Sequence, residues 1–143
     1  MEHMGISLVF DEKYLQYRPS FLHFYHPLRV QMIIEYLKEV NLWKSENVAV
    51  VQPDFVEEDT LQLGHAPSYI NYVKQLSKEG VGSMADHTII NENTFECSKS
   101  AVGGAVKAGR LIFEDRTNSF ALVRPPGHHA ARTYGGGYCL VFD

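Results

Sequence analysis

The chain has little of what marks membrane, secreted or nucleic-acid-binding proteins. Its 143 residues include two cysteines, Cys97 and Cys139, and one tryptophan. Two cysteines do not make a disulfide framework, and Cys97 falls in a segment of helical pattern, so free thiols in a reducing compartment are expected. No apolar run approaches the roughly 20 residues that span a bilayer. Met1-Glu2-His3-Met4 carries neither a positive region nor a long apolar stretch, so no secretory signal is read there, and Met4 is an alternative natural start. Positive charge is scarce too: 13 Lys and Arg against 17 Asp and Glu leave a net charge of −4. The pI near 5.9 is the opposite of the basic footprint that nucleic acids require. No repeat, low-complexity tract or linker divides the chain. The expectation is a cytoplasmic protein with no direct nucleic-acid or membrane partner.

What is present is apolar content of 45%, enough for a core at this length. Ile6 to Phe10 reads as a first strand. The loop from Leu15 to Tyr25 is rich in rings (Tyr17, Phe21, His23, Phe24, Tyr25), too many for a free surface loop. Pro27 suits a helix's first turn, and Val30, Ile33, Ile34 and Leu37 follow at the spacing of an amphipathic stripe. Val48 to Val51 reads as a buried strand ended by Pro53. Glu57-Glu58-Asp59 opens a short helix with charge that suits its dipole. Tyr69, Tyr72, Val73 and Leu76 mark another helix, closed by Gly80. Thr94 is an N-cap for a helix running to about Phe113, with Ala101, Gly104, Ala105 and Ala108 as a small face for close packing. Ser119 to Val123 and Tyr138 to Phe142 read as the last two strands. Strands alternating with helices predict an α/β fold with a mainly parallel sheet.

The densest chemistry lies in Arg124-Pro125-Pro126-Gly127-His128-His129-Ala130, followed by Gly135-Gly136-Gly137-Tyr138-Cys139. Two prolines stiffen the approach and Gly127 supplies a hinge. The preceding apolar run puts the pair at a strand's carboxyl end, where open α/β sheets keep their ligand sites. Histidine titrates near neutrality, so it suits general acid and base work. Two adjacent imidazoles repel each other's charge and couple their titrations. The glycine run is not read as a phosphate loop, because no helix-opening Lys-Ser or Lys-Thr follows it.

This string resembles the zinc-dependent histone deacetylase family, including its acetoin-utilisation and acetylpolyamine-amidohydrolase relatives. Gly137 follows His129 by eight positions, the spacing of that family. Looser matches run in the same order: Ile6 to Phe10, His26-Pro27-Leu28-Arg29, His65-Ala66-Pro67-Ser68-Tyr69, and Asp86. The resemblance implies an arginase/deacetylase-type fold and hydrolysis of acetyl-lysine or acetylpolyamine amides with Zn2+. It implies His129 as general base and acid, and His128 beside the leaving group. Gly137 and Tyr138 would form the substrate tunnel wall, Asp86 would grip the substrate, and Arg29 would line an internal cavity.

Each assignment has a plainer alternative. Arg29 reads equally as a helix-surface arginine and Asp86 at least as readily as a turn residue, whereas the surrounding string weighs against reading the His pair as a mere loop stabiliser. Two departures stand out: Tyr138 replaces the commoner Phe, and Phe142 stands where the family turns toward an asparagine. The family's Asp-x-His and later Asp metal ligands, and its transition-state tyrosine, lie C-terminal to the Gly-aromatic-Cys motif. His87 follows Asp86 but belongs to an earlier loop. No metal ligand is identified in residues 1–143, which are expected to form the N-terminal part of one deacetylase-type domain, an incomplete fold that is inert alone. The competing expectations are a truncated or split homologue that self-associates through its open sheet edge or pairs with a missing C-terminal half, and an unrelated hydrolase whose His pair binds metal directly.

Overall fold

The computed structural model describes residues 5–19, 25–115 and 117–142, with the backbone alone at Val81. Phe21, His23 and Phe24 of the ring-rich loop lie outside the described residues. Strand β1 (Ile6–Val9) is central, pairing in parallel with β2 (Val48–Val51) on one side and β5 (Asn118–Ala121) on the other. This sheet, in the order β2-β1-β5, is the mainly parallel architecture expected. Helix α1 (Leu28–Glu39) gives Val30 and Ile34 to a core that also holds Leu8, Phe10, Tyr14, Ala101 and Leu122. Each large apolar side chain fully buried there stabilises the fold by about 1.5–3 kcal/mol. Ile33, placed on the apolar stripe by its spacing, is exposed.

A larger core gathers around α3 (Pro67–Glu79) and α4 (Thr94–Glu114), joined by the short α2 (Glu58–Leu61). Gly80 closes α3 in the left-handed conformation, at φ +76, as a glycine C-cap should. The small face of α4 is used for close approach. A Cβ on Gly103 would stand 2.0 Å from the Asp54 carbonyl oxygen, and one on Gly104 would stand 2.5 Å from Val123 Cγ1. Thr94 begins α4 itself instead of capping it, while its hydroxyl accepts the Asn91 backbone N–H at 2.8 Å.

Two expectations about strands need correction. The run Val48–Val51 is a half-buried edge strand, because β1 covers only one of its sides. Tyr138 to Phe142 is not a strand. Gly137 (φ +56) and Tyr138 (φ +70) bend the backbone out of the extended region, so only an isolated bridge joins Gly136 to Cys139. Cys139, Leu140 and Val141 are buried all the same, and it is that burial which their apolar run records. The pattern also hides an antiparallel hairpin of β3 (Val81–Met84) and β4 (Thr88–Asn91). Its three-residue connection, Ala85 to His87, is closed by the Thr88 N–H on the Ala85 carbonyl and places Asp86 at φ 53 and His87 at φ 60, where glycine or asparagine is the usual signal.

Candidate active site

The loop carrying the histidines leaves the carboxyl end of β5, and Leu122 prolongs the pairing by donating its N–H to the Val9 carbonyl at 3.0 Å. The Arg124–Pro125 peptide is cis. From Gly127 the backbone turns back on itself, with the Ala130 N–H on the Gly127 carbonyl at 2.9 Å. That turn presents His128 and His129 outward, both exposed, with ring centroids 4.3 Å apart at 63°. The pair is therefore available to a ligand instead of being consumed by core contacts.

The His129 ring lies directly over Gly137: a Cβ there would meet His129 Cδ2 at 3.1 Å, and φ +56 disfavours any side chain. Next to it, a Cβ on Gly136 would stand 2.3 Å from the Tyr134 hydroxyl and 3.1 Å from Asp86 Oδ2. The two glycines thus make a bare floor. His129, Gly136, Gly137, Tyr134 and Asp86 line a single cleft. The hairpin turn delivers Asp86 to it, in a left-handed conformation that costs a non-glycine residue about 1–2 kcal/mol. The Tyr134 hydroxyl donates to Asp86 Oδ2 at 2.8 Å, and this bond raises the phenol's pKa.

Tyr138 and Arg29 are not among the residues that line this cleft. The Tyr138 ring packs on Tyr25 at 4.7 Å, and its N–H donates to Thr88 Oγ1 at 2.9 Å. Arg29 is exposed, with its guanidinium carbon 5.1 Å from the Tyr25 ring centre, and it lines a separate groove with Ile33, Phe120, Val123 and Arg124. The sequence-chosen residues therefore divide between one cleft (Asp86, His129, Gly137), its imidazole neighbour (His128) and a ring bridge toward Arg29 (Tyr138).

The supports beneath were not legible as site residues. Arg124 is buried, and it donates to the carbonyls of Tyr14, Tyr17 (2.6 Å) and Tyr25. Burial away from water lowers its pKa to about 10, with the Tyr17 ring opposing that shift. One side chain thus ties the loop after β1 to the strand that carries the histidines. The ring-rich loop is anchored further where Tyr14, just before it, donates to the Ser100 carbonyl and Tyr17, within it, to the Ile89 carbonyl, at 2.8 and 2.7 Å. Burial pushes both phenols up to about 12.

A second support comes from the first turn of α3. The Ala66 N–H donates to the Arg132 carbonyl at 2.8 Å, and the Tyr69 hydroxyl donates to the Leu140 carbonyl at 2.7 Å. His65 Nε2 accepts the Phe142 N–H at 2.8 Å, with its ring between Tyr69 and Phe142. Burial lowers the His65 pKa, opposed by the backbone of Arg132 and Ala131. The signal in the sequence was the His65-x-x-x-Tyr69 motif; His65 precedes α3, and the extended Ala66 brings its ring to 5.1 Å from that of Tyr69.

Among the described residues, neither Cys97 nor Cys139 forms a disulfide and both are buried; burial pushes the Cys97 thiol up to about 11. No described helix is long and apolar enough to cross a membrane. Among the described residues, no group of three or more His, Cys, Asp or Glu is placed to hold a metal ion. A catalytic zinc needs three such ligands, so these residues do not fit that group by themselves.

Comparison with known proteins adds to this geometry. The model of the histone deacetylase domain matches residues 23–143. A probable deacetylase from Archaeoglobus fulgidus is 32% identical over 140 residues, covering 96% of this chain and 38% of the relative. The polyamine deacetylase HDAC10 of Rattus norvegicus is 34% identical over 90 residues, or 58% of this chain and 15% of that protein. The crystal structure of the HDA15 HD domain superposes with a TM-score of 0.88 at 25% identity, covering 96% of this chain and 40% of that one. The chain spans well under half the length of these relatives.

Proposed function

Because this chain belongs to the histone deacetylase family, we propose that it supplies the proton-transfer pair and one substrate wall of a catalytic domain that hydrolyses acetylated amines. The observation that supports this most is the placing of His129 over the Gly137 backbone, with His128 at 4.3 Å and Asp86 in the same cleft. An amide needs a proton taken from the attacking water and a proton given to the departing amine. An exposed imidazole above a bare peptide floor can do both for an acyl group lying along that floor. The Gly137 carbonyl also receives the Cys139 thiol at 3.6 Å, a long and weak contact that leaves this carbonyl able to accept a substrate N–H.

In this reading residues 1–143 are the N-terminal part of one deacetylase-type domain. Zinc, the family's Lewis acid, belongs to the complete domain. No three ligands for it are assembled among the described residues, so the isolated chain is inert. The substrate is an acetyl-lysine or an acetylpolyamine, and the domain works in the cytoplasm. The test is complementation. Residues 1–143 are assayed alone, and then fused to the C-terminal remainder of the Archaeoglobus fulgidus relative, on an acetyl-lysine peptide and on an acetylpolyamine. The expected result is hydrolysis by the fusion and none by the chain alone. Turnover by the chain alone, or by neither, would contradict the reading.

A further inference from the structure

Tyr134 bonds to Asp86 across the cleft mouth, although nothing in the motif singles it out. Three observations converge on this pair. The carboxylate sits on a turn whose two central residues, Asp86 and His87, are both left-handed without being glycine. The Tyr134 hydroxyl reaches that carboxylate from the opposite loop at 2.8 Å. That loop is itself pinned: the Ala131 N–H donates to the Tyr134 carbonyl at 2.8 Å, and Ala66 holds the carbonyl of Arg132. Tyr134 Oη and Asp86 Oδ2 both overhang Gly136, one residue from the glycine beneath His129. Neighbouring Cα atoms are about 3.8 Å apart, so the carboxylate and the imidazole face a ligand of short span.

We propose that Tyr134 is a positioning residue that aims the Asp86 carboxylate at a second N–H or ammonium donor of the acetylated amine held against His129. This rests on the functional reading above and on the substrate grip that the family resemblance implies for Asp86, and it adds the residue that fixes the direction of that carboxylate. A carboxylate oxygen that takes one phenol proton still has lone pairs for a further donor. The hydroxyl therefore orients the acceptor without consuming it. In its absence, the turn keeps Asp86 near the cleft with its carboxylate free to rotate.

The test is ligand binding to the 143-residue chain, followed by amide and imidazole NMR shifts at Gly136, Gly137 and His129. Three probes are used: N-acetylputrescine, which carries an ammonium; acetyl-lysine methylamide, which carries backbone N–H groups; and N-butylacetamide, which has neither. Tyr134→Phe is expected to weaken whichever donor-bearing probe binds by about fivefold and to leave N-butylacetamide unchanged. It should have no further effect in an Asp86→Asn background. Binding of the first probe alone assigns an ammonium carrier; binding of the second alone assigns a peptide. Equal weakening of all three probes, or no weakening, overturns the role of Tyr134 while the cleft stands as the binding site. No shift at the cleft with any probe overturns the functional reading, and this inference with it.

Discussion

Two histidine environments face each other across the segment 130–142, and they are opposites. His128 and His129 are exposed on a turn, with rings in contact above a glycine floor. His65 is enclosed between Tyr69 and Phe142, holding a backbone N–H with Nε2. The first arrangement leaves imidazoles free to exchange protons with a ligand. The second spends its imidazole on fixing the chain that follows the floor. The difference teaches that the chemistry at this cleft depends on buried polar clamps, of which Arg124 is the other.

The comparison breaks most severely at Arg124. Arg124→Ala leaves the carbonyls of Tyr14, Tyr17 and Tyr25 without their buried donor. It is expected to cost about 3 kcal/mol or more in urea unfolding. Arg124→Lys should recover only part, since one ammonium cannot spread over three carbonyls as a guanidinium fork does. A loss under about 1 kcal/mol for the alanine variant would refute the clamp.

Next in size is Gly103→Ala, whose Cβ meets a backbone oxygen that cannot step aside. About 2–3 kcal/mol of destabilisation is expected, read as a fall in thermal midpoint. Gly109→Ala on the same helix has open space at its Cβ and should stabilise slightly, by up to about 1 kcal/mol. The pair separates close packing from helix propensity.

The smallest effect distinguishes the histidines by pH. His65 has its pKa lowered in the fold by burial. Above the unfolded pKa of about 6.5 both states are neutral and the residue has no pH effect. Below that value the unfolded chain takes the proton first. Stability then falls by up to about 1.4 kcal/mol per pH unit until the folded pKa is reached. His65→Gln should flatten that part of the curve, whereas His128→Gln and His129→Gln should leave the slope due to His65 in place. An unchanged slope in His65→Gln would remove His65 as its source.

Much of this was legible in the residues. Alternation of apolar runs with amphipathic stripes located β1, α1, α3, α4 and the parallel sheet, because burial imposes those periods directly. The string from Arg124 to Cys139 located the cleft, since two prolines, a glycine hinge and paired imidazoles have few other uses together. Three features were hidden for physical reasons. The β3–β4 hairpin turns on Asp86-His87, and although aspartate suits a turn, the pair lacks the glycine that usually marks a left-handed one. Tyr138 to Phe142 has the composition of a strand, but left-handed backbone at its start keeps it out of the sheet. Arg124 and Tyr134 act through the tertiary contacts of single side chains, with carbonyls and with a carboxylate far along the sequence, and no local spacing encodes those.

The central claim is that His129, supported by His128 above Gly137, moves the protons of amide hydrolysis. It is tested most directly by measuring kcat of the fused protein on an acetyl-lysine peptide or acetylpolyamine before and after His129→Ala, with His65→Gln as the control for a clamp. The account predicts a loss of at least about 10²-fold for His129→Ala, and a much smaller one for His65→Gln at neutral pH. A His129→Ala protein that folds and turns over within twofold of its parent would contradict it.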